Sequence, residues 1–164
     1  MATKTFTFNS LPRNVEELQR LPEARLQDPF QAAALTLLAM YRYTESRDDG
    51  LAMINFLKGP QPLSAYETQF IRDRLVGKEH VIRSFFDGTS PSNDYTPRKP
   101  LTVRISDNPY TYGEAGYAKL VVQSSGADSP RPIKLRQLKT GTWCLWENLF
   151  LSDIRQPASA NPWA

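Results

Sequence analysis

Residues 28–43 read DPFQAAALTLLAMYRY, and this stretch decides the fold. An aspartate followed by a proline is typical of a helix start, because Asp caps open backbone N–H groups and proline fits the first turn. The apolar side chains that follow recur at helical spacing: Phe30, Ala33, Ala34, Leu37, Leu38 and Tyr41. Ala32 and Leu35 widen this stripe. The stretch therefore predicts an amphipathic helix from Asp28 to about Tyr43, central to the core.

Shorter helices are predicted on both sides of this central helix. Asn14 is a candidate N-cap, and Pro22 limits the helix that follows it to about two turns. The polar run Arg47-Asp48-Asp49-Gly50 interrupts the helical pattern after the central helix. A further helix is predicted from Leu51 to Leu57, and Gly59-Pro60 ends it.

The remaining helical signals lie between residues 64 and 100. Ser64-Ala65-Tyr66-Glu67 has the capping-box pattern of a helix start, and Gly77 is a candidate C-cap. Glu79 to Phe86 fits either a short helix or an extended segment. Gly88 to Pro100 is rich in Pro, Ser, Asn and Asp, which predicts an ordered loop.

The second half of the chain changes to strand patterns. Leu101, Val103 and Ile105 alternate with polar residues, which predicts a half-buried strand. Three further strands are predicted at Tyr117 to Gln123, Ile133 to Lys139 and Trp143 to Leu149, the last two joined by the hairpin signal Thr140-Gly141-Thr142. Helices followed by an antiparallel meander indicate an α+β fold, with N-terminal helices on one face of a C-terminal antiparallel sheet of about four strands.

The length of 164 residues suits one domain, which we place at residues 9–157, with a loose C-terminal tail at 158–164. The chain has one Cys and one His, so it has no internal disulfide and no Cys- or His-rich zinc site. We expect no metal and no cofactor. The first residues carry no apolar signal core, and no apolar run approaches the about 20 residues of a membrane span. These features predict a cytoplasmic protein without a membrane partner.

The net charge of +3 is unevenly distributed. Residues 1–82 are neutral overall, and the whole excess lies in residues 83–164. It is densest around the third predicted strand, where alternation places Lys134 and Arg136 on one face, with Arg131 near the end of the strand. Such a row suits an acidic partner or a phosphate backbone. A solvated sheet face is the favoured interpretation. With Lys139 the row has only four positive charges, which are few for nucleic-acid binding, and the sequence lacks the aromatic platforms that bind single-stranded RNA.

A second candidate site is the loop at residues 107–114, DNPYTYGE. It places Tyr110 and Tyr112 beside Asp107 and Glu114. Tyrosines give contact area at small entropic cost, so such loops often bind partners, and two close carboxylates can act as acid and base. The alternative is structural, because Asp-Asn-Pro is also a turn signal and tyrosines pack well at sheet edges.

Isolated residues add little chemistry. His80 and Cys144 would make a thiol-hydrolase pair only if the fold joined them, and Cys144 has the setting of a small buried hydrophobe instead. Trp143 and Trp146 are three apart on a strand, so they point to opposite faces, and the one outside the core needs a loop, helix or partner to cover it. The sequence has no Gly-rich phosphate loop.

Several stretches resemble an uncharacterised bacterial protein family known only as a domain of unknown function: Asp28–Thr36, Leu57–Pro60, Ala127–Arg136, Trp143–Glu147 and Asp153–Arg155. The resemblance covers about Asn9 to Pro157. It implies a bacterial, intracellular setting and no mechanism. The closing hairpin with its two tryptophans is also similar to the last strands of NTF2-like folds.

The leading hypothesis is a non-enzymatic binding or interaction domain without catalytic residues and with a protein partner. Its binding residues would be Tyr110, Tyr112, Glu114, Arg131, Lys134 and Arg136. The alternative is a small-molecule binder or enzyme with a pocket between helices and sheet, built from Asp107, Glu114, His80 and Tyr117. A second alternative is weak nucleic-acid binding through the basic strand, which we disfavour. The sequence leaves the oligomeric state open.

Overall fold

The central helix, α2, spans Pro29–Glu45 and begins as its sequence predicts. The Asp28 carboxylate accepts a hydrogen bond of 3.0 Å from the backbone N–H of Gln31, and Pro29 occupies the first turn. Thirteen of the seventeen residues are buried, so the helix is enclosed on nearly every side and not along one stripe alone. It packs against α3 and against strands β2, β3, β4 and β5, which are defined next.

The computed structural model describes residues 2–160, 162 and 163. In this part of the chain the helices are α1 (Val15–Gln19), α2, α3 (Arg47–Lys58), α4 (Ala65–Leu75) and α5 (His80–Arg83). The strands are β1 (Thr3–Phe8), β2 (Leu101–Ser106), β3 (Tyr117–Val122), β4 (Arg131–Gln137) and β5 (Trp143–Asn148). Short 3-10 turns lie at Pro22–Arg25, Pro91–Asn93 and Ala158–Ala160. Among these described residues no helix is both long and apolar enough to span a membrane.

The sheet has five strands in the order β1-β2-β3-β4-β5, with every neighbouring pair antiparallel. The α+β prediction is confirmed, and the strand count exceeds the predicted four by β1. Strand β1 pairs with β2 from Thr3 opposite Ser106 to Phe8 opposite Leu101, and it begins before the predicted domain start at Asn9. The sequence signal was weak because β1 is an edge strand, and Phe8 alone among its residues is buried.

Local capping signals are confirmed. The Asn14 side chain accepts from Glu17 N at 3.0 Å, and Ser64 with Glu67 forms both bonds of the capping box. Gly77, with φ of 72°, follows the C-cap of α4. The segment from Glu79 to Phe86, which fits either a short helix or an extended segment by sequence, contains the short helix α5.

The predicted interruption at residues 47–50 is wrong, because α3 begins at Arg47 and includes Gly50. Ser46 alone separates α2 from α3. The two aspartates lie in the first turn of α3, where the helix dipole favours negative charge. Gly50 lies against α2, and a Cβ at this position would be 2.6 Å from the backbone N of Tyr43. The glycine therefore permits close helix packing and does not end a helix.

The segment 150–156 crosses back over the domain as a strap. Side chains from three earlier segments donate hydrogen bonds to its carbonyl oxygens: Arg74 to Leu151 (3.1 Å), Tyr95 to Arg155 (2.6 Å) and Arg131 to Asp153 (3.0 Å). Beyond the strap, Ser159 in the predicted tail hydrogen-bonds to Asp94. Asn161 and Ala164 of that tail, like Met1, lie outside the described residues.

We predict that Gly50→Ala destabilises the protein, although Gly→Ala in an exposed helix normally stabilises it. The added methyl group would push α3 away from Tyr43, and overpacking of this kind costs about 1–3 kcal/mol. Urea unfolding followed by circular dichroism measures the change. Ala52→Gly, at an exposed position of the same helix, is the control for helix propensity. We expect it to lower the free energy of unfolding by about 1 kcal/mol. An unchanged or higher stability of Gly50→Ala would contradict the packing role.

Candidate functional site

The two faces of the sheet differ in chemistry along β4. Ile133 and Leu135 are buried on the inner face, and Lys134 and Arg136 point to the outer face, as strand alternation predicts. On β3, Tyr117 lies opposite Arg136, and Lys119 lies opposite Lys134. Directly paired residues share a face, so cations and an aromatic ring collect on the outer side.

Four outer-face side chains form what we call the cation–aromatic cluster: Tyr117, Lys134, Arg136 and Trp146. The Arg136 guanidinium carbon lies 4.5 Å from the centroid of the Trp146 ring and 5.3 Å from that of Tyr117. The Lys134 ammonium lies 4.6 Å from the Tyr117 centroid. The two rings meet at a centroid distance of 5.9 Å and an interplanar angle of 70°. These are cation–π and edge-to-face contacts, which hold Arg136 between two aromatic rings.

A β-bulge on β5 lies at this cluster. Leu135 lies opposite Leu145, whereas Lys134 lies opposite Glu147, so Trp146 is the extra residue on β5. Trp143 is buried on the inner side, as predicted for one of the two tryptophans. The other tryptophan, Trp146, contacts Arg136 and Tyr117 of its own sheet, and the Lys58 ammonium at the end of α3 lies 6.0 Å from its ring centroid, so a helix supplies part of its cover. Strand alternation predicts that Trp146 points away from Trp143, and Tyr117 belonged only to the alternative pocket hypothesis. Their contact with Arg136 depends on the pairing of β3, β4 and β5, which the sequence does not reveal.

The three basic candidates of the sequence have different surroundings. Arg131 donates to Ser129 and to the strap carbonyl of Asp153, so its hydrogen bonds hold the chain together. Lys134 pairs with Glu114 at 3.0 Å, and that hydrogen bond raises the pKa of the lysine. Arg136 forms no ion pair with a carboxylate of the described residues.

The predicted loop at residues 107–114 is anchored at several points. Asn108 Oδ1 accepts from Tyr110 N at 2.8 Å, and Asn108 N donates to Thr111 Oγ1 at 2.8 Å. Thr111 is buried, and its carbonyl accepts from Lys119 N at 3.0 Å. Tyr110 and Tyr112 are 82% and 56% exposed despite these anchors. The structure therefore presents two tyrosines on a held loop.

A cavity of about 320 Å³ lies beside the cluster, between the α3–α4 connection and the β4–β5 hairpin. We call it the hairpin pocket. Its walls are Lys58, Pro60 and Gln61 from the helical side and Arg136, Gln137, Leu138, Lys139, Cys144 and Trp146 from the hairpin. The lining residues include three cations and no carboxylate.

Lys58 is a cation that the sequence analysis did not single out. Its side chain is only 4% exposed, and its ammonium donates to Glu67 at 3.0 Å and to the Trp146 carbonyl at 3.3 Å. Gly59, with φ of 70°, then passes so close to Cys144 that a Cβ would lie 2.6 Å from the sulfur. This approach covers strand β5 and buries the thiol.

The groups of the alternative pocket hypothesis do not converge. Asp107 accepts a hydrogen bond from the backbone of Ala2 at 2.6 Å, whereas Glu114 and Tyr117 meet at Lys134. His80 lies against the Tyr95 ring at 5.7 Å, and burial lowers its pKa.

The thiol-hydrolase pair is likewise not assembled by these contacts. Cys144 neighbours Gly59 and Lys58, whereas His80 packs on Tyr95. Within residues 2–160, 162 and 163 no group of three or more His, Cys, Asp or Glu is placed to hold a metal ion.

Most of the chain belongs to a recognised class of protein domain. The chain matches the family described as "Domain of unknown function (DUF6935)" over residues 10–158, and it belongs to that family. No curated protein matches the sequence, and no solved structure matches it. The predicted family resemblance is confirmed, and the bacterial origin and the NTF2-like likeness stay predictions.

We predict that the Cys144 thiol reacts slowly with a disulfide reagent in the native protein. Burial raises its pKa, and Lys58 opposes this effect more weakly, so less of the nucleophilic thiolate is present than on an exposed cysteine. The rate with DTNB at about pH 8, near the pKa of a free thiol, should rise strongly in denaturing urea. Equal rates in the two states would contradict the burial of this thiol.

Proposed function

We propose that this chain is a non-enzymatic binding domain that docks a protein partner on the loop at residues 107–114 and the adjoining outer face of β4. The observation that carries the proposal is the exposure of Tyr110 and Tyr112 on a loop that hydrogen bonds hold in place. A bacterial cytoplasmic setting is part of the proposal and rests on the sequence.

Anchored tyrosines favour binding for two physical reasons. A tyrosine has a large amphipathic ring and few rotatable bonds, so it gives much contact area for little loss of side-chain entropy. A loop that is already ordered loses less conformational freedom when a partner docks. Thr111 and Asn108 provide this order, since both engage the loop backbone.

Polar groups next to the tyrosines supply the orientation that a protein interface needs. Glu114 and Lys134 pair with each other and connect the loop to β4. Arg136 follows on the same face, and arginine and tyrosine are both enriched at the centres of interfaces. An acidic side chain of the partner opposite Arg136 is the expected complement, because this guanidinium has no carboxylate of its own in the described structure.

We predict that Tyr110→Ala with Tyr112→Ala abolishes capture of the partner. The test is crosslinking pull-down from the native cell with the wild-type chain and the double variant as baits, read by mass spectrometry. The control is Tyr66→Ala. Tyr66 is 78% exposed on α4, so this substitution removes a comparable exposed ring from another surface.

A protein that is recovered with the wild type and the control but lost with the double variant supports the proposal. Equal recovery with all three baits shows that the loop is not the docking surface. Failure to recover any protein repeatedly with crosslinking overturns the binding function itself.

A further inference from the structure

The hairpin pocket is positively charged and only partly neutralised. Lys58, Arg136 and Lys139 line it, and Glu67, the carboxylate that pairs with Lys58, is not among the lining residues. Among the described residues neither Arg136 nor Lys139 has an ion-pair partner. Cations that converge on one concave site raise the local concentration of anions.

Arg136 is oriented for recognition before any ligand arrives. Its guanidinium carbon lies 4.5 Å from the Trp146 ring centroid and 5.3 Å from that of Tyr117, so the two rings limit where the group can move. A cation–π contact uses the charge and leaves the N–H groups of the guanidinium able to donate. A planar fork of donors matches the two oxygens of a carboxylate or the oxygens of a phosphate.

Lys58 gives the pocket a built cationic wall. A lysine side chain that is 4% exposed is rare, and here two hydrogen bonds, to Glu67 and to the Trp146 carbonyl, fix the ammonium. An ammonium has three N–H donors, so these bonds with described residues use two of them. Its position is set by the fold and does not depend on a flexible surface chain.

The remaining walls are apolar or neutral. Pro60, Leu138 and the Trp146 ring supply apolar contact, and Gln61 and Gln137 supply amides. Burial raises the pKa of Cys144, so the thiol adds a neutral group to the wall. A cavity of about 320 Å³ is at the lower end of the range of ligand pockets, which fits a compact ligand.

We propose that the hairpin pocket binds a small oxyanion, a carboxylate or phosphate, attached to a flat apolar ring. The oxygens lie on Arg136, with Lys139 as the second cation that has no ion pair among the described residues and Lys58, which is paired with Glu67, offering its remaining N–H. The ring packs against Pro60, Leu138 and Trp146. This site shares Arg136 with the proposed protein docking but goes beyond it, because the rest of its chemistry uses the hairpin and α3 and not the tyrosine loop.

The test is a titration of ¹⁵N-labelled protein with four simple compounds, in which the indole N–H signals are monitored in ¹H–¹⁵N spectra. Phenyl phosphate carries both features, inorganic phosphate carries the anion alone, phenol the ring alone, and benzylammonium the ring with the opposite charge. The chain has three tryptophans, and Trp146→Phe assigns the signal of the pocket. We expect phenyl phosphate to bind most tightly and to shift the Trp146 signal, inorganic phosphate to bind more weakly, and benzylammonium not to bind.

The matched variants are Arg136→Gln and Lys119→Gln, which remove the same charge from the outer face, one inside the pocket and one outside it. Arg136→Gln should weaken phenyl phosphate binding about tenfold or more, since it removes the charged fork of donors. Arg136→Lys keeps the positive charge and loses the planar fork of donors, so its affinity for phenyl phosphate should lie between those of the wild type and Arg136→Gln. Unchanged circular dichroism and melting temperature show that each variant is folded.

Equal losses in Arg136→Gln and Lys119→Gln would mean that general surface charge attracts the anion, and this result overturns the site. Phenol or benzylammonium binding as tightly as phenyl phosphate overturns the oxyanion. The double variant Tyr110→Ala with Tyr112→Ala should bind phenyl phosphate as the wild type does. Failure of the docking function and failure of the anion site are therefore separate results.

Discussion

The burial of α2 is the constraint on which the rest of the structure depends. This helix is apolar on nearly all sides, so it needs cover from the sheet on one side and from α3 on the other. The inner face of each strand must then be apolar, and Gly50 is needed where α3 approaches Tyr43. Cations and polar rings are left to the outer face, because a buried charge without a partner is costly. The candidate site is thus a consequence of how the core is covered.

Two local irregularities turn this outer face into a site. The bulge in β5 keeps both Trp146 and Glu147 on the outer side, and the Trp146 ring centroid lies 4.5 Å from the Arg136 guanidinium carbon. The close passage of Gly59 over Cys144 brings the end of α3 against the hairpin. Together they build a concave pocket beside a sheet face that would otherwise be flat. Without the bulge, strict alternation would place Trp146 opposite Lys134 and turn Glu147 to the inner face.

Helix caps and strand alternation could be predicted because they act within a few residues. Asp28 and Ser64 each bond a backbone N–H three positions away, and the burial of Ile133 and Leu135 follows from period-two alternation. The predicted break at residues 47–50 was wrong because its glycine serves packing against another helix. Strand β1 was missed because an edge strand buries few side chains, so its pattern is weak. Each of these errors has a tertiary cause.

The sequence by itself determined the α+β class, the central helix, the outward direction of Lys134 and Arg136, and the tyrosines of the 107–114 loop. Only the tertiary structure decided which groups the cations meet. Lys134 meets Glu114 twenty positions away, Arg131 meets the strap, and Lys58 meets the carbonyl of Trp146 eighty-eight positions away. The hydrogen bonds of a helix and the side-chain alternation of a strand depend on near neighbours in the chain. The partner of a charged side chain depends on which distant segments the packing of the core brings together.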